Sequence, residues 1–112
     1  IIKINLYKMY SHRGIYKSIR DENTLESFRL ALKIMDGIEC DVRLSKDKIP
    51  VIIHDITLMR THNIPGAVYQ FTANELNMIG IPSAINVLQL KDLHNNNNKT
   101  IIFDLKDNQV AH

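Results

Sequence analysis

The clearest pattern of apolar and polar side chains lies in residues 37–55, the stretch GIECDVRLSKDKIPVIIHD. In its first half the two types alternate, as they do on a strand with one apolar and one polar face. The apolar positions are Ile38, Cys40, Val42 and Leu44, and the polar positions between them are Glu39, Asp41 and Arg43. A break at Pro50 and a β-branched run at residues 51–53 predict an antiparallel hairpin, which returns His54 towards the level of Asp41.

The polar face of this hairpin carries two carboxylates at neighbouring positions. By strand geometry the Cβ atoms of Glu39 and Asp41 lie about 6–7 Å apart. Like charges at that distance repel unless a cation lies between them, and a divalent cation with oxygen ligands is the obvious candidate. The same alternation is typical of an amphipathic hairpin with a solvated acidic face, and this stretch alone favours that plainer interpretation.

Parallel strands joined by helices are predicted around the hairpin. Residues 6–10 form a short strand that runs into His12-Arg13-Gly14, residues 24–36 form a helix, and residues 38–44 form the next strand. This order predicts parallel pairing through a right-handed crossover. A third parallel strand covers residues 100–105, and Asp104 and Lys106 share one of its faces. Functional groups of such sheets collect at the carboxyl ends of the strands.

The helix over residues 24–36 has start and stop signals. Asn23 is the predicted N-cap, and Glu26 occupies the third position of a capping box. Gly37 fits the position that ends the helix. The apolar stripe consists of Leu25, Phe28, Leu32 and Met35.

The second half of the chain has weaker signals. A loop follows Asp55 and turns at Pro65-Gly66. Thr72 begins a short helix that ends near Met78, and Ser83 caps another. The apolar face of that helix is predicted to hold Ala84, Val87 and Leu88. His94 lies at its end, residues 95–98 form an exposed loop, and residues 107–112 show no pattern.

Composition limits the functional classes. The chain has 112 residues, enough for one domain, with 45% hydrophobic and 23% charged residues. A net charge of +2 gives no reason to expect a nucleic-acid or anionic-membrane partner. No apolar run approaches the ~20 residues of a membrane span, and no secretory signal is expected at the start. The single cysteine, Cys40, allows no disulfide within the chain, favours a reducing compartment such as the cytoplasm, and is expected to be a buried, inert thiol.

An ordered series of motifs resembles the glycerophosphodiester phosphodiesterase family. The matching segments are His12-Arg13-Gly14, Glu22-Asn23-Thr24, Glu39-Cys40-Asp41-Val42, residues 50–55, Leu58 with Arg60-Thr61, Ile81-Pro82-Ser83 and Asp104-Leu105-Lys106. The resemblance implies an α/β fold of parallel βα units of the TIM-barrel type. Residues 1–112 would supply the first three barrel strands, and therefore a partial domain.

The resemblance also implies roles for individual residues. His12 and His54 would be the catalytic acid–base pair, and Arg13 and Lys106 would hold the substrate phosphate. A divalent cation, Mg²⁺ or Ca²⁺, would be bound by Glu39, Asp41 and Asp104. The substrate would be a glycerophosphodiester, hydrolysed to glycerol 3-phosphate and an alcohol. The third acidic position is usually Glu in the family, so the shorter Asp104 is expected to weaken the affinity for the metal.

The length leaves three structural possibilities open, because a TIM barrel takes about 250 residues. The 112 residues are part of a longer chain, two copies associate as a homo-oligomer, or the protein is a shortened relative. Two further functions also stay open. One is a lipid phosphodiesterase of the same superfamily, and the other is an inactive relative that acts as a binding module.

Overall fold

The computed structural model describes residues 2–4, 8–93 and 98–106. Its strands are β1 (Ile2–Ile4), β2 (Met9–His12), β3 (Gly37–Leu44), β4 (Pro50–Ile52) and β5 (Thr100–Leu105). Its α-helices are α1 (Leu25–Ile34), α2 (Met59–His62), α3 (Ala73–Met78) and α4 (Ala84–Leu93). Two single 3₁₀ turns cover Ile19–Asp21 and Val68–Gln70.

The centre of the sheet is β3, which pairs in parallel with β2 on one side and with β5 on the other. One crossover contains α1, and the other contains α4. The fold is therefore a partial α/β barrel with three parallel strands, as predicted. In this register His12 lies beside Glu39 and Asp41 lies beside Asp104.

The predicted hairpin is also confirmed. The end of β3 pairs antiparallel with β4, with Val42 opposite Ile52. The backbone N–H of Ile53 then donates to the carbonyl oxygen of Asp41 at 3.0 Å, which continues the pairing beyond β4. This pairing fixes the residue that follows, His54, next to the carboxyl half of β3.

The first strand differs from the prediction. The sequence predicted a strand over residues 6–10, whereas the described strand is Met9–His12 and residues 5–7 lie outside the described part of the chain. An additional strand, β1, pairs antiparallel with β2 and covers its outer edge. Because an uncovered edge leaves a row of unpaired backbone groups, β1 removes one of the two open edges that three strands alone would have.

The core lies in two clusters. The larger one packs α1 and α4 against the apolar face of β3 and contains Phe28, Ala31, Leu32, Met35, Ile38, Cys40, Val42, Ile52, Val87 and Leu90. The smaller one lies beneath β4 and the segment after it, and contains Val51, Ile53, Leu58, Val68, Leu76 and Ile81. Burial of each Val, Leu, Ile, Phe or Met side chain contributes about 1.5–3 kcal/mol, so both clusters hold the hairpin in place.

The start of α1 corrects the predicted cap. Thr24 is the N-cap, and its partner in the capping box is Ser27 rather than Glu26. Asn23 precedes the helix with a left-handed backbone, φ +55°.

The predicted role of Gly37 was also wrong, because Gly37 opens β3 instead of ending α1. A Cβ atom there would overlap the carbonyl oxygen of Thr100 and approach the Tyr10 ring within 2.8 Å, so the glycine allows the strands to come together.

The segment after β4 contains more structure than predicted. The predicted loop includes α2, and the side chain of Thr61 in that helix is buried. In α4 the buried residues are Val87 and Leu90, whereas Leu88 is exposed. His94 and residues 107–112 lie outside the described residues, as do 95–97. Among the helices that are described, none has the length and apolar character of a membrane span.

Candidate functional site

The polar face of β3 carries the carboxylates that the sequence singled out. Glu39 is 5% exposed and Asp41 is fully buried. Asp104 on β5 lies beside Asp41 in the parallel register. One carboxylate oxygen from each of the three residues lies within 4.8 Å of the others. The solvated acidic face is therefore the wrong interpretation for Glu39 and Asp41, which are buried and form an acidic cluster with Asp104, whose side chain is 42% exposed.

Two cationic side chains border this acidic cluster. Arg13 Nε lies 3.0 Å from Asp41 Oδ2. Lys106 Nζ lies 2.7 Å from Asp104 Oδ2 and 3.7 Å from Asp41 Oδ1. The hydrogen bond to Asp104 raises the pKa of the Lys106 ammonium, which therefore stays charged. His12 Nε2 lies 3.7 Å from Glu39 Oε1, so the imidazole also lies at the edge of the cluster.

The turn after β2 sets the positions of His12 and Arg13. The backbone N–H of Arg13 donates to the carbonyl oxygen of Glu39 at 2.8 Å, which extends the parallel pairing by one residue. Gly14 follows with φ +85°, and a Cβ atom there would overlap the Ser27 side chain. Only glycine fits this close passage of the chain beneath the start of α1.

Asn23 is a site residue whose contact the sequence analysis missed. Its side-chain amide donates to Asp41 Oδ2 at 3.0 Å, and the backbone N–H of Asp41 donates back to Asn23 Oδ1 at 3.4 Å. The left-handed backbone of Asn23 turns the side chain away from the helix and towards β3. The signal lies in the segment Glu22-Asn23-Thr24, which matches a family motif but whose local pattern is that of a helix cap.

The position of His54 is fixed by hydrogen bonds of the backbone just before it and of its own carbonyl oxygen. His54 follows the Ile53–Asp41 hydrogen bond directly, and its carbonyl oxygen accepts from Arg43 Nε at 2.8 Å. Its ring nitrogen Nδ1 lies 2.7 Å from Asp55 Oδ1. The His54 side chain keeps 36% of its surface exposed, so the ring remains accessible while one of its nitrogens is engaged.

A chain of ion pairs connects His54 with the acidic cluster. Arg60 binds both oxygens of Glu22, at 2.9 and 2.8 Å, and both oxygens of Asp55, at 2.7 and 3.1 Å. Glu22 Oε2 in turn lies 3.5 Å from Arg13 Nη1. The hydrogen bond from Arg60 is the main reason that the pKa of Asp55 is lowered. Sequence patterns do not reveal this contact of Glu22, because a partner 38 residues away leaves no local signal.

The acidic cluster fits a divalent cation. Within the described residues, Asp41 Oδ1 is buried and accepts no hydrogen bond, with Lys106 Nζ 3.7 Å away. Ligand oxygens on opposite sides of a Ca²⁺ ion are about 4.6–5.2 Å apart, and around Mg²⁺ about 4.0–4.2 Å. Three oxygens within 4.8 Å of one another therefore suit one ion of either kind, with a small contraction for Mg²⁺.

Comparison with known proteins identifies the family. The model of the glycerophosphoryl diester phosphodiesterase family matches residues 12–109, which is most of the chain and includes all seven predicted site residues. The chain belongs to this family. A curated glycerophosphodiester phosphodiesterase of Caldanaerobacter subterraneus is 46% identical over 67 residues, and one of Bacillus altitudinis is 46% identical over 70 residues. These alignments cover 59% and 62% of this chain.

Two solved structures share the fold of this chain over the part that it covers. The Thermotoga maritima glycerophosphodiester phosphodiesterase superposes with a TM-score of 0.75 at 32% identity and covers 88% of this chain. An Oleispira antarctica phosphodiesterase, solved with the product sn-glycerol-3-phosphate, superposes with a TM-score of 0.70 at 29% identity and covers 87%. This chain spans only 43% of either structure and 27–28% of the two curated relatives.

The predicted site residues fall into one connected region. The structure brings together six of them directly around the acidic cluster: His12, Arg13, Glu39, Asp41, Asp104 and Lys106. His54 joins them through the ion-pair chain. Their catalytic and binding roles remain predictions. Cys40 faces the core, and burial, followed by the charges of Glu39 and Asp41, raises the pKa of its thiol, so it has no thiolate for chemistry.

Proposed function

We propose that this site serves metal-dependent hydrolysis of glycerophosphodiesters to glycerol 3-phosphate and an alcohol. The observation that supports this most strongly is the acidic cluster formed by the buried Glu39 and Asp41 with Asp104, on the parallel strands β3 and β5, bordered by an imidazole and two cations. Burial of carboxylates this close together is costly unless a cation compensates them. The product bound in the Oleispira phosphodiesterase supports glycerol 3-phosphate as the product class.

The charges of the site suit a phosphodiester. Three carboxylates together with Arg13 and Lys106 leave one excess negative charge, which would repel a phosphate. A divalent cation held by the carboxylates reverses this balance to one positive charge. That matches the single negative charge of a phosphodiester, so substrate binding is expected to require Mg²⁺ or Ca²⁺. When bound, the cation supplies Lewis-acid stabilisation of charge on the phosphoryl oxygens.

The remaining steps fall to side chains of this chain. Arg13 and Lys106 bind the phosphate oxygens and stabilise the charge that grows there as the bond to the alcohol breaks. One of His12 and His54 accepts the proton of the attacking hydroxyl group, and the other gives a proton to the alkoxide that leaves. An imidazole side chain can do both near neutral pH.

The sheet has an open edge among the described residues. Three barrel strands leave the outer edge of β5 and the exposed Ile102 and Leu105 without a neighbouring element among the residues described. We propose that further barrel strands, or a second copy of the chain, cover this edge in the active protein. Light scattering after size-exclusion chromatography distinguishes the two, because only the second gives a dimer of the 112-residue chain.

Metal binding is tested first, without reference to catalysis. Isothermal titration of the purified chain with CaCl₂ and MgCl₂ should show one site, and Asp41→Asn should abolish it. Glu26→Gln on the exposed surface of α1 is the matched control, and should bind the ion as the wild type does. Equal binding by Asp41→Asn and wild type would exclude the acidic cluster as the metal site.

Activity is tested with the metal present. Release of glycerol 3-phosphate from glycerophosphocholine is expected to stop with a chelator, and to fall about 10²–10⁴-fold in His12→Ala. Lysophosphatidylcholine as a parallel substrate tests the lipid phosphodiesterase alternative. A folded, metal-loaded chain that turns over neither substrate refutes the enzymatic function for these 112 residues and favours the inactive binding module.

A further inference from the structure

Arg60 forms more hydrogen bonds than an ordinary surface ion pair. Its guanidinium binds two carboxylates at once, Glu22 through Nη1 and Nη2 and Asp55 through Nε and Nη2. All four distances lie between 2.7 and 3.1 Å. By contrast, the Glu26–Arg29 pair on α1 has one contact of 3.4 Å between two exposed side chains. The planar fork of Arg60 is thus held from two directions.

Burial makes this arrangement rigid. The Glu22 side chain is only 3% exposed, so its carboxylate must keep its partners. Arg60 supplies the bidentate contact, and Arg13 adds a longer one at 3.5 Å. Because Glu22 fixes Arg60, it also fixes Asp55, whose oxygens both accept from the same guanidinium. Asp55 Oδ1 then faces His54 Nδ1 at 2.7 Å.

This order of contacts determines the state of the imidazole. An ionised carboxylate has no hydrogen to donate, so the short contact requires the proton on His54 Nδ1. In the neutral ring the other nitrogen, Nε2, is then an unprotonated acceptor. We infer that Glu22, Arg60 and Asp55 form a positioning relay, the Arg60 relay, that holds His54 in this tautomer for proton transfer. The inference rests on the proposed function, in which His54 is one of the two acid–base groups.

The Asp55→Asn variant separates the relay from a merely structural ion pair. In this variant the oxygen of the introduced amide has to serve the donors of Arg60, which leaves the amide NH₂ facing His54 Nδ1. That contact favours the opposite tautomer, with the proton on Nε2, because Nδ1 must now accept. Asp55→Glu keeps a carboxylate, and Arg60→Lys keeps the charge but loses the fork that joins both partners.

The tautomer of His54 is measured by ¹⁵N–¹H correlation spectra of the imidazole nitrogens, assigned with His54→Gln, at a pH where the ring is neutral. We expect the Nδ1–H form in wild type, a switch to Nε2–H in Asp55→Asn, a larger Nε2–H fraction in Arg60→Lys, and retention of Nδ1–H in Asp55→Glu. Arg29→Lys, which alters only the exposed pair on α1, is the control and should match wild type.

Three results overturn the relay: the Nε2–H form in wild type, an unchanged tautomer in Asp55→Asn, or an Arg60→Lys spectrum identical to wild type. The wild-type spectrum alone decides the first of these if a variant does not fold. Where glycerol 3-phosphate release is measurable, Asp55→Asn should lower kcat about 10²-fold or more and leave KM within a few-fold. Absence of turnover refutes the proposed function only, since the tautomer is read without substrate.

Discussion

Substitution of Asn23 tests how the carboxylate at the centre of the site is held. Asn23→Ala removes the 3.0 Å hydrogen bond from the side-chain amide to the buried Asp41. A hydrogen bond to a charged group contributes about 1.5–3 kcal/mol. Alanine must also adopt the left-handed backbone at φ +55°, which costs about 1–2 kcal/mol. The free energy of unfolding should therefore fall by about 2.5–5 kcal/mol.

Two further variants divide this loss into its parts. Asn23→Gly loses the same hydrogen bond, but glycine adopts the left-handed backbone without strain. Part of this advantage is offset because glycine has more conformational entropy in the unfolded chain. The free energy of unfolding of Asn23→Gly should therefore be about 1 kcal/mol higher than that of Asn23→Ala. Asn63 has nearly the same backbone, φ +54°, on an exposed side chain. Asn63→Ala therefore measures the backbone cost without a bond to Asp41, and should lose only about 1–2 kcal/mol.

Urea unfolding followed by far-ultraviolet circular dichroism measures these differences. A loss of about 2.5–5 kcal/mol lowers the midpoint by roughly 0.8–5 M, given slopes of about 1–3 kcal/mol/M. Metal affinity is the functional readout, because loss of a group that orients a ligand lowers affinity about 10–100-fold. Equal losses in Asn23→Ala and Asn63→Ala would refute the reasoning, since the bond to Asp41 would then contribute nothing.

Three other substitutions test separate features of the site and the sheet. Asp104→Glu introduces the longer side chain that the resemblance implies at this position, and calorimetric titration should show about tenfold tighter Ca²⁺ or Mg²⁺ binding. Gly37→Ala should lower stability by about 1–3 kcal/mol in thermal unfolding, because a Cβ atom overlaps the neighbouring strand. The stability difference between wild type and Asp55→Asn should be complete above pH about 4 and shrink in acid. The reason is that the folded-state pKa of Asp55 lies below its unfolded value, so the contribution of Asp55 to stability is lost as the pH falls through the folded-state pKa. A stability difference that grows in acid would contradict this.

Local patterns predicted the strands and helices in which buried residues recur at the regular spacing of a strand or of a helix. The alternation from Ile38 to Leu44 predicted β3, and the break at Pro50 predicted the hairpin, because each depends on neighbouring residues only. The stripe of Phe28, Leu32 and Met35 is buried as its spacing predicted. These features place the acidic pair on the strand before any tertiary contact is known.

Residues whose conformation is set by distant partners escaped the sequence analysis. Asn23 is a residue type that is common at N-caps, but its side chain forms a hydrogen bond with Asp41, 18 residues further on. The N-cap is Thr24 instead. The helix α2 has only four residues, too few to show a helical period, and the partner of its Arg60, Glu22, is 38 residues away. Gly37 matched a helix-ending pattern, whereas the approach of Thr100 on the neighbouring strand requires it. In each case the prediction assigned the residue to a local motif, whereas a contact with a distant residue determines its role.

These long-range contacts explain how part of a barrel can hold a complete set of proposed acid–base and metal groups. The acidic cluster is fixed by the pairing of β3 with β5 and by the amide of Asn23. The turn that carries His12 is fixed by its bond to the backbone of Glu39, and His54 by the hairpin and the Arg60 relay. Every one of these supports comes from the described residues themselves. We therefore expect that an element covering the outer edge of β5, whether further strands or a second copy of the chain, changes substrate preference more than it changes metal affinity.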